Sequence, residues 1–352
     1  MANGLQDYKW VNVWERAERS HCAFNFFFGA RGTGKTYGAL SEQREEYISG
    51  DCKKYMYMRL TQAELDICAG EEDNPYKQLN MDKNWNCHFE PVPKSKIYNI
   101  VDETDADDKK VLGSARALGT FGNVRGSNFA DYSHIIFDEF APAERVRRTP
   151  EIKMTGYLFV QAYETINRNR ELAGEPPVIC LFMANTFRLD SDLLAYFGIT
   201  QTVEAMQRSG QKRVTIPEKS IYIEFCEAPE VTEAKRQTVL YKAMKGNKRI
   251  EAVNLNNKFT DYNLTLVKRM PLNEFVPLVR YEELTLFQHK STGMLYLKKI
   301  FVNCREEYGE AERGKFAKKW RPFLKAAIVE RTIYADDAAD IYRLQNIIDT
   351  PL

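Results

Sequence analysis

The segment at residues 24–36 joins an apolar run to a glycine-rich turn and then to a helix-forming stretch. It reads FNFFFGARGTGKT, with aromatic residues before Gly29 and helix formers after Thr36. A glycine-rich turn between a buried strand and a helix points several backbone N–H groups at one place, where a phosphate chain can bind. This is the P-loop pattern. The alternative, a glycine loop that binds nothing, does not account for the strand and helix patterns on either side.

The residues of this turn predict how a nucleotide and its metal are held. Lys35 is expected to reach the β- and γ-phosphates, and the Thr36 hydroxyl is expected to bind Mg²⁺. Arg31 can contact phosphate within its own subunit. We therefore predict ATP and Mg²⁺ as cofactors. The predicted contacts in this segment are Gly29, Arg31, Gly32, Thr33, Gly34, Lys35 and Thr36.

Bulk properties restrict the class of protein. A length of 352 residues suggests about two domains. The net charge of +1 creates no strong overall field, so attraction to nucleic acid has to come from local basic segments. The seven cysteines are scattered and never form C-x-x-C, which favours reduced thiols over disulfides or zinc ligands.

No apolar run approaches the roughly 18 residues of a membrane span, and the N-terminus lacks a signal-peptide core. We therefore expect a soluble, cytosolic protein with no membrane partner.

Strand and helix patterns alternate after the P-loop. Predicted strands cover 54–60, 134–137, 178–183 and 221–225, and predicted helices begin near 62 and span 157–170. Such alternation predicts an α/β fold with a mostly parallel sheet and helices on both faces. Ligands of this architecture bind at the carboxyl ends of the strands. The polar residues that end two of the strands should therefore meet at the P-loop.

The remainder of the chain predicts a second, smaller domain. A basic helix from Val231 to Lys245 follows the last predicted strand of the sheet. Beyond it, four short strands between residues 264 and 297 and two helices, near 318–329 and 336–348, indicate an α+β domain. We predict a P-loop ATPase domain over 1–228, a helical linker over 229–250 and the second domain over 251–352.

Polar residues at the strand ends predict the hydrolytic chemistry. Asp138 and Glu139 follow an apolar strand, so Asp138 is expected near Mg²⁺ and Glu139 near the γ-phosphate as catalytic base. An acidic pair at the start of a helix is the alternative. Asn185 ends the next strand, where its amide would contact the nucleotide; an ordinary turn asparagine is the alternative.

Arginines elsewhere suit roles outside this core. Arg168 and Arg170 follow a helix, and in a ring one of them would enter a neighbouring site as an arginine finger, unless they form only a solvated helix end. Two loops flank the Asp-Glu strand, and both would grip a DNA backbone if they are not ordinary solvated loops. Their arginines are Arg125, Arg145, Arg147 and Arg148. Trp10 and Trp14 would cover an adenine ring or, as is more usual at this spacing, pack in the core.

The motifs resemble those of the DNA-packaging ATPases of small tailed phages of the phi29 type, distant relatives of large terminase subunits. The similar segments are FGARGTGKTY at 28–37, IFDEF at 136–140, RNRE at 168–171 and the strand from Ile179 to Asn185. The similarity is clearest from about residue 24 to residue 190.

This resemblance implies an ASCE-type P-loop fold and ATP-driven translocation of double-stranded DNA into a preformed capsid. It implies a homomeric ring, a pentamer, docked transiently on the procapsid portal in the host cytoplasm. Arg168 would be the finger acting in a neighbouring subunit, and Arg125 would face DNA. The second domain would be RNase H-like without nuclease activity. The family's basic residue after its second strand has no counterpart, because Gln62 stands there; Arg59 keeps a positive charge nearby.

Two other functions stay open at this stage. One is a terminase-like motor with an active C-terminal nuclease, which requires clustered carboxylates. The other is a nucleotide-gated DNA-binding switch that hydrolyses ATP slowly and moves nothing. Some relatives dock through a packaging RNA, but this chain has no recognisable RNA-binding signature, so that partner stays open.

Overall fold

The computed structural model describes residues 10–30, 32–124, 129–141, 154–185, 191–243, 266–330, 332–336 and 338–349. The chain divides into two compact units. The first comprises residues up to 187, 191–197 and 206–259, and the second comprises 188–190, 198–205 and the chain from 260 onward. The domain limits inferred from the sequence, with a linker at 229–250, stay a prediction.

A nine-stranded sheet forms the first unit. Its strands are β1 (Phe24–Phe28), β2 (Lys54–Arg59), β3 (Cys87–Pro91), β4 (Tyr98–Asp102), β5 (Lys110–Ala117), β6 (Tyr132–Asp138), β7 (Ile179–Ala184), β8 (Arg213–Ile216) and β9 (Ile221–Phe225). Their spatial order is β3-β4-β5-β2-β6-β7-β1-β9-β8. All pairs from β5 to β9 in this order are parallel, whereas β3-β4, β4-β5 and β9-β8 are antiparallel. The predicted α/β fold with a mostly parallel sheet is confirmed.

Helices occupy the connections of this part of the chain. They are α1 (Val13–Ser20), α2 (Lys35–Ser49), α3 (Gln62–Cys68), α4 (Lys77–Lys83), α5 (Thr155–Asn167), α6 (Asp192–Tyr196), α7 (Thr200–Ser209), α8 (Pro229–Arg236) and α9 (Val239–Ala243). Two of them differ from the sequence-based expectation. The helix predicted over 157–170 ends at Asn167, and the single basic helix predicted after β9 is divided into α8 and α9.

Continuous aromatic packing explains why the P-loop strand lies inside the sheet. Phe26, Phe27 and Phe28 on β1 are all fully buried, as expected for a parallel strand covered on both faces. Phe26 stacks on Phe182 of β7, with ring centroids 4.3 Å apart. Trp14 is also buried, so the packing interpretation holds for this residue.

Within its described residues from 266 onward, the second unit contains a five-stranded sheet and two α-helices. Its elements are β10 (Phe275–Tyr281), β11 (Leu284–His289), β12 (Leu295–Lys299), β13 (Glu307–Tyr308), α10 (Arg313–Val329), β14 (Ile333–Ala335) and α11 (Ala338–Asp349). The order is β13-β10-β11-β12-β14, with β10, β11 and β12 forming the antiparallel meander expected from the sequence. A smaller α+β unit is thus confirmed. Of the strand predicted over 264–267, only its end is described, where Val267 bridges Ala335.

Nothing in the described part of the chain is a helix long and apolar enough to cross a membrane.

Candidate nucleotide site

The turn between β1 and α2 has the geometry that a phosphate-binding loop requires. Gly32 and Gly34 adopt left-handed backbone conformations, with φ of 72° and 88°. A Cβ at Gly34 would lie 2.8 Å from the Cβ of Trp10, so that position has no room for a side chain. Helix α2 begins directly at Lys35. The positive end of its dipole and its free N–H groups therefore face the turn.

Lys35 lies beneath the turn and is only 5% exposed. Its ammonium group donates to the carbonyl oxygens of Gly29 (3.0 Å) and Ala30 (3.2 Å), to Thr33 Oγ1 (3.3 Å) and to Asn185 Oδ1 (3.2 Å). Burial lowers the pKa of Lys35, and nearby Asp138 and Glu139 act in the opposite direction. A buried cation surrounded by neutral oxygens gains strongly from an incoming anion, because a phosphate supplies charge-assisted hydrogen bonds.

Oxygen ligands suitable for a magnesium ion meet at the start of α2. Thr36 Oγ1 lies 3.2 Å from both carboxylate oxygens of Asp138, and Tyr57 donates to the same carboxylate at 2.9 Å. Asp138 is 8% exposed, and burial raises its pKa despite the adjacent Arg59 guanidinium. A hydroxyl and a carboxylate are the donors that Mg²⁺ takes beside phosphate oxygens and water. The residues present therefore fit the predicted ion.

Glu139 follows β6 in a left-handed conformation, with φ of 50°. One carboxylate oxygen accepts from Asn185 Nδ2 at 2.7 Å, and the other accepts from Arg59 Nη2 at 2.7 Å. A non-glycine residue in this region of φ/ψ space is strained, and such strain is concentrated at functional sites. The structure thus brings Lys35, Thr36, Asp138, Glu139 and Asn185 together, as expected from the strand ends; their individual roles stay predictions.

Arg59 is a central residue of this site that the sequence analysis left without a role. It ends β2, is 8% exposed, and contacts Glu139 and also Asp138, whose carboxylate lies 3.5 Å away. Burial alone would lower the pKa of Arg59, but Tyr57 and Asp138 outweigh it and leave that pKa raised. The rule that identified Asp138 and Asn185, a polar residue at the carboxyl end of a parallel strand, also applies to Arg59.

The two arginines after α5 have different environments. Arg168 is exposed and has a left-handed φ of 41°. Arg170 is 8% exposed and donates to the carbonyl oxygens of Phe129 and Ala130, at 2.9 and 3.0 Å. Arg170 therefore anchors the chain before β6, and Arg168 is the one available to another molecule. Among the described residues, no hydrogen bond or ion pair ties the Arg168 side chain to the P-loop of its own subunit.

Gln62, which stands where the resemblance implied a basic residue, begins α3. Its amide donates to Asp66 one helical turn later, at 2.7 Å. The capping box formed by Thr61 and Glu64 explains why the helix begins here. Gln62 therefore has a local structural partner.

Several predicted contacts lie outside the described residues. They are Arg31 of the P-loop and the four loop arginines Arg125, Arg145, Arg147 and Arg148. Their assignments stay predictions.

Several carboxylates of the second unit are paired with basic side chains. Glu283 and Glu282 contact Arg343, and Asp336 contacts Lys298 at 3.1 Å. Asp261 and Asp337 lie outside the described residues. Within the described ranges there is no cluster of three or more His, Cys, Asp or Glu side chains that could hold a metal ion.

Comparisons with known proteins agree with this geometry. The sequence model of the family "Podovirus DNA encapsidation protein (Gp16)" matches residues 15–307. The DNA packaging protein of Bacillus phage phi29 is 22% identical over 276 residues, covering 78% of this chain and 74% of that protein.

Two solved structures share the fold over nearly the whole chain. One belongs to the bacteriophage phi29 viral genome packaging motor assembly, with a TM-score of 0.60, 16% identity, and coverage of 96% of this chain and 99% of that chain. The other is the phi-28 gp11 DNA packaging motor, with a TM-score of 0.59, 15% identity, and coverage of 97% and 100%. The resemblance drawn from the motifs is confirmed.

Proposed function

Because the chain belongs to the Podovirus DNA encapsidation protein (Gp16) family, we propose that it is the ATPase of a motor that drives double-stranded DNA into a preformed capsid. Genome packaging follows from the family. Hydrolysis of ATP by this chain, and its use for translocation, are the parts that we propose from the site.

The position of Glu139 is the observation that carries this proposal. Its carboxylate lies at the end of β6, bonded to Asn185, which also accepts from the P-loop residue Lys35. A protein that only binds nucleotide needs the P-loop but no base beside it. A carboxylate in this place can accept the proton of an attacking water, which is the contribution of a general base.

The other residues divide the remaining work. Lys35 and the N–H groups of the turn bind the phosphates, and Thr36 and Asp138 hold Mg²⁺. When bound, Mg²⁺ neutralises charge on the phosphate oxygens. Lys35 has to exchange some of its present oxygen partners for phosphate, among them Asn185. The Asn185 amide is then free to reorient relative to Glu139, which makes the position of the base depend on the nucleotide.

We also propose the assembly that the family resemblance implies. A ring, a pentamer, would dock on the capsid portal in the host cytoplasm, and exposed Arg168 would reach the site of a neighbouring subunit. One of the two similar structures belongs to a viral genome packaging motor assembly, which supports an oligomeric motor. Arg125, Arg145, Arg147 and Arg148 would contact DNA. A packaging RNA stays an open partner.

The test of this function is ATP hydrolysis by the purified chain with and without double-stranded DNA. We expect DNA to stimulate turnover and expect both Lys35→Ala and Glu139→Gln to abolish it. The Glu139→Gln variant should still bind nucleotide, because its P-loop is intact. Lys96→Ala is the matched control, since Lys96 is an exposed lysine between β3 and β4.

Two outcomes would replace the proposal by the alternatives. A slow turnover that DNA does not change would favour the nucleotide-gated switch. Metal-dependent cleavage of plasmid DNA that is lost on replacing Asp261 or Asp337 would favour a motor with an active nuclease.

A further inference from the structure

A second lysine reaches the P-loop from the helix that follows the sheet. Lys235 lies near the end of α8, in the first unit, and its ammonium group lies against Gly32. A Cβ placed on Gly32 would be 3.1 Å from Lys235 Nζ and 3.3 Å from its Cε. Gly32 follows β1 and Lys235 follows β9, so the two residues are far apart in the sequence. Folding of the chain brings them into contact.

The contact between Lys235 and the turn brings a second positive charge close to Lys35, which packing alone would not favour. Lys235 is half-buried, and burial lowers its pKa. Its charge also acts on Lys35 and contributes to lowering the pKa of that residue. Two ammonium groups therefore converge on one glycine turn, although like charges repel and each loses hydration by approaching.

An anion in the turn would relieve this repulsion. The turn already offers the N-terminus of α2, a helix of 15 residues, and the buried Lys35. Lys235 adds a further ammonium donor beside Gly32. A polyphosphate is the anion that suits such a site, because its several oxygens can accept from separate donors at once.

We propose that Lys235 is a second phosphate-binding lysine of the nucleotide site, contributed by α8. This rests on the proposed function, since it takes a nucleotide polyphosphate as the occupant of the turn. Lys235 binds phosphate oxygens beside Gly32, and Lys35 binds others from the first residue of α2. Nucleotide binding then ties α8 to the P-loop.

Nucleotide affinity tests the contact directly. Dissociation constants for ADP and for a non-hydrolysable ATP analogue are measured by calorimetry on the wild type and on Lys235→Ala, Lys235→Arg and Lys242→Ala. Loss of one charge-assisted hydrogen bond should weaken binding by about tenfold in Lys235→Ala. Lys235→Arg should restore most of it, and Lys242→Ala, an exposed lysine on α9, should bind as the wild type does. In turnover, KM should rise and kcat should change little.

A footprint on the unaltered protein supplies a readout that does not depend on any variant. The wild type is treated with an amine-acylating reagent with and without ADP, and modified lysines are quantified by mass spectrometry. ADP should protect Lys235 and leave Lys242 unchanged.

The outcomes separate this inference from the function on which it rests. If the wild type binds ADP but Lys235→Ala binds it equally well and ADP does not protect Lys235, the inference is wrong and the proposed ATPase stands. If Lys235→Arg is as weak as Lys235→Ala, Lys235 acts through packing and the inference is likewise overturned. If the wild type binds no nucleotide at all, both fail.

Discussion

Arg59 is the residue on which the buried charges of the site depend. Its guanidinium lies 3.5 Å from the Asp138 carboxylate, and both residues are buried. Removing one partner of such a pair leaves the other charge buried without compensation, which typically costs about 3–5 kcal/mol. The ion pair itself need not stabilise the fold by that amount.

We expect Arg59→Ala to lower the free energy of unfolding by about 3 kcal/mol, because Asp138 then loses its cationic neighbour. Urea denaturation of the wild type and the variant measures this difference. Arg19→Ala is the control, since the Arg19 side chain is 77% exposed and its pair with Glu15 lies on the surface. Equal stability of all three proteins would show that Tyr57 and Thr36 suffice to compensate Asp138.

His134 predicts how the fold responds to acid. It is buried on β6, its ring lies 4.1 Å from that of Trp14, and burial lowers its pKa from 6.5 to about 3. The folded state therefore binds fewer protons than the unfolded state between these two values. Stability contributed by the neutral ring is present above pH 6.5 and is lost as the pH falls through this window.

Lowering the pH from 7 to 5 should thus remove about 2 kcal/mol of unfolding free energy through His134. The measurement is the difference between wild type and His134→Gln in denaturation at both pH values. Taking the difference matters, because Glu46, whose pKa burial raises to about 7, acts in the opposite direction. A pH response that is the same in both proteins would contradict the prediction.

The positions of some site residues could be predicted from the sequence, because the direction of the parallel strands determines which edge of the sheet they occupy. In a parallel sheet, the residues after β1, β6 and β7 share one edge, so Lys35, Asp138 and Asn185 could be placed together from the sequence. The contact from Lys235 could not, because it depends on how α8 packs over the turn. The backbone strain at Glu139 is likewise a property of the folded chain.

The end of α5 places two arginines that are close in sequence, Arg168 and Arg170, in different environments. Arg170 is anchored to the carbonyl oxygens of Phe129 and Ala130, and exposed Arg168 ends the helix with its N–H bonded to Glu164. From the residues alone either could have been an arginine finger, and only the family resemblance favoured Arg168. After Asn167 the backbone turns through left-handed conformations at Arg168 and Asn169, and this turn leaves Arg168 exposed and Arg170 buried.

The substitution Arg168→Asn should distinguish a role of Arg168 in ATP hydrolysis from a role in stabilising the fold. Asparagine tolerates the left-handed conformation better than arginine does, so stability should change by less than about 0.5 kcal/mol. The variant is mixed with the wild type in rising proportion. If Arg168 acts in a neighbouring subunit, a plot of ATPase activity against the fraction of variant should be curved. Arg19→Asn, mixed in the same way, should leave activity unchanged.

A straight-line decline in the Arg168→Asn mixtures would contradict action between subunits. A loss of stability of several kcal/mol would instead show that Arg168 has a structural role.

In the nine-stranded sheet, the strands that the sequence did not reveal are β3, β4, β5 and β8, which lie outside β2 on one side and outside β9 on the other. β3 and β4 read CHFEP and YNIVD, short segments with polar residues and a proline. A strand at an edge needs burial on fewer sides, so its apolar pattern is weak, whereas central strands such as β1 carry continuous apolar runs. Five of the six parallel strands were predicted, and the sixth, β5, was missed because its sequence KVLGSARA is not a continuous apolar run.

For the whole molecule, the near-neutral charge determines how DNA can be held. With a net charge of +1, no long-range field draws the chain onto DNA, and contacts have to come from local groups of arginines. Phosphate contacts release counterions, so the logarithm of the DNA affinity falls with the logarithm of the salt concentration, by about 0.9 for each phosphate neutralised.

Replacing an arginine that is proposed to contact DNA tests that assignment through the salt dependence of binding. We expect Arg147→Ala to reduce the slope of log affinity against log salt by about one and to weaken binding equally across DNA sequences. The measurement is a titration of labelled duplex DNA at several salt concentrations, with Lys96→Ala as the control. ATP turnover without DNA should stay at the wild-type rate, since the P-loop and Glu139 are untouched. An unchanged slope would remove Arg147 from the DNA interface and, if Arg145 and Arg148 behave alike, would leave Arg125 as the contact to test.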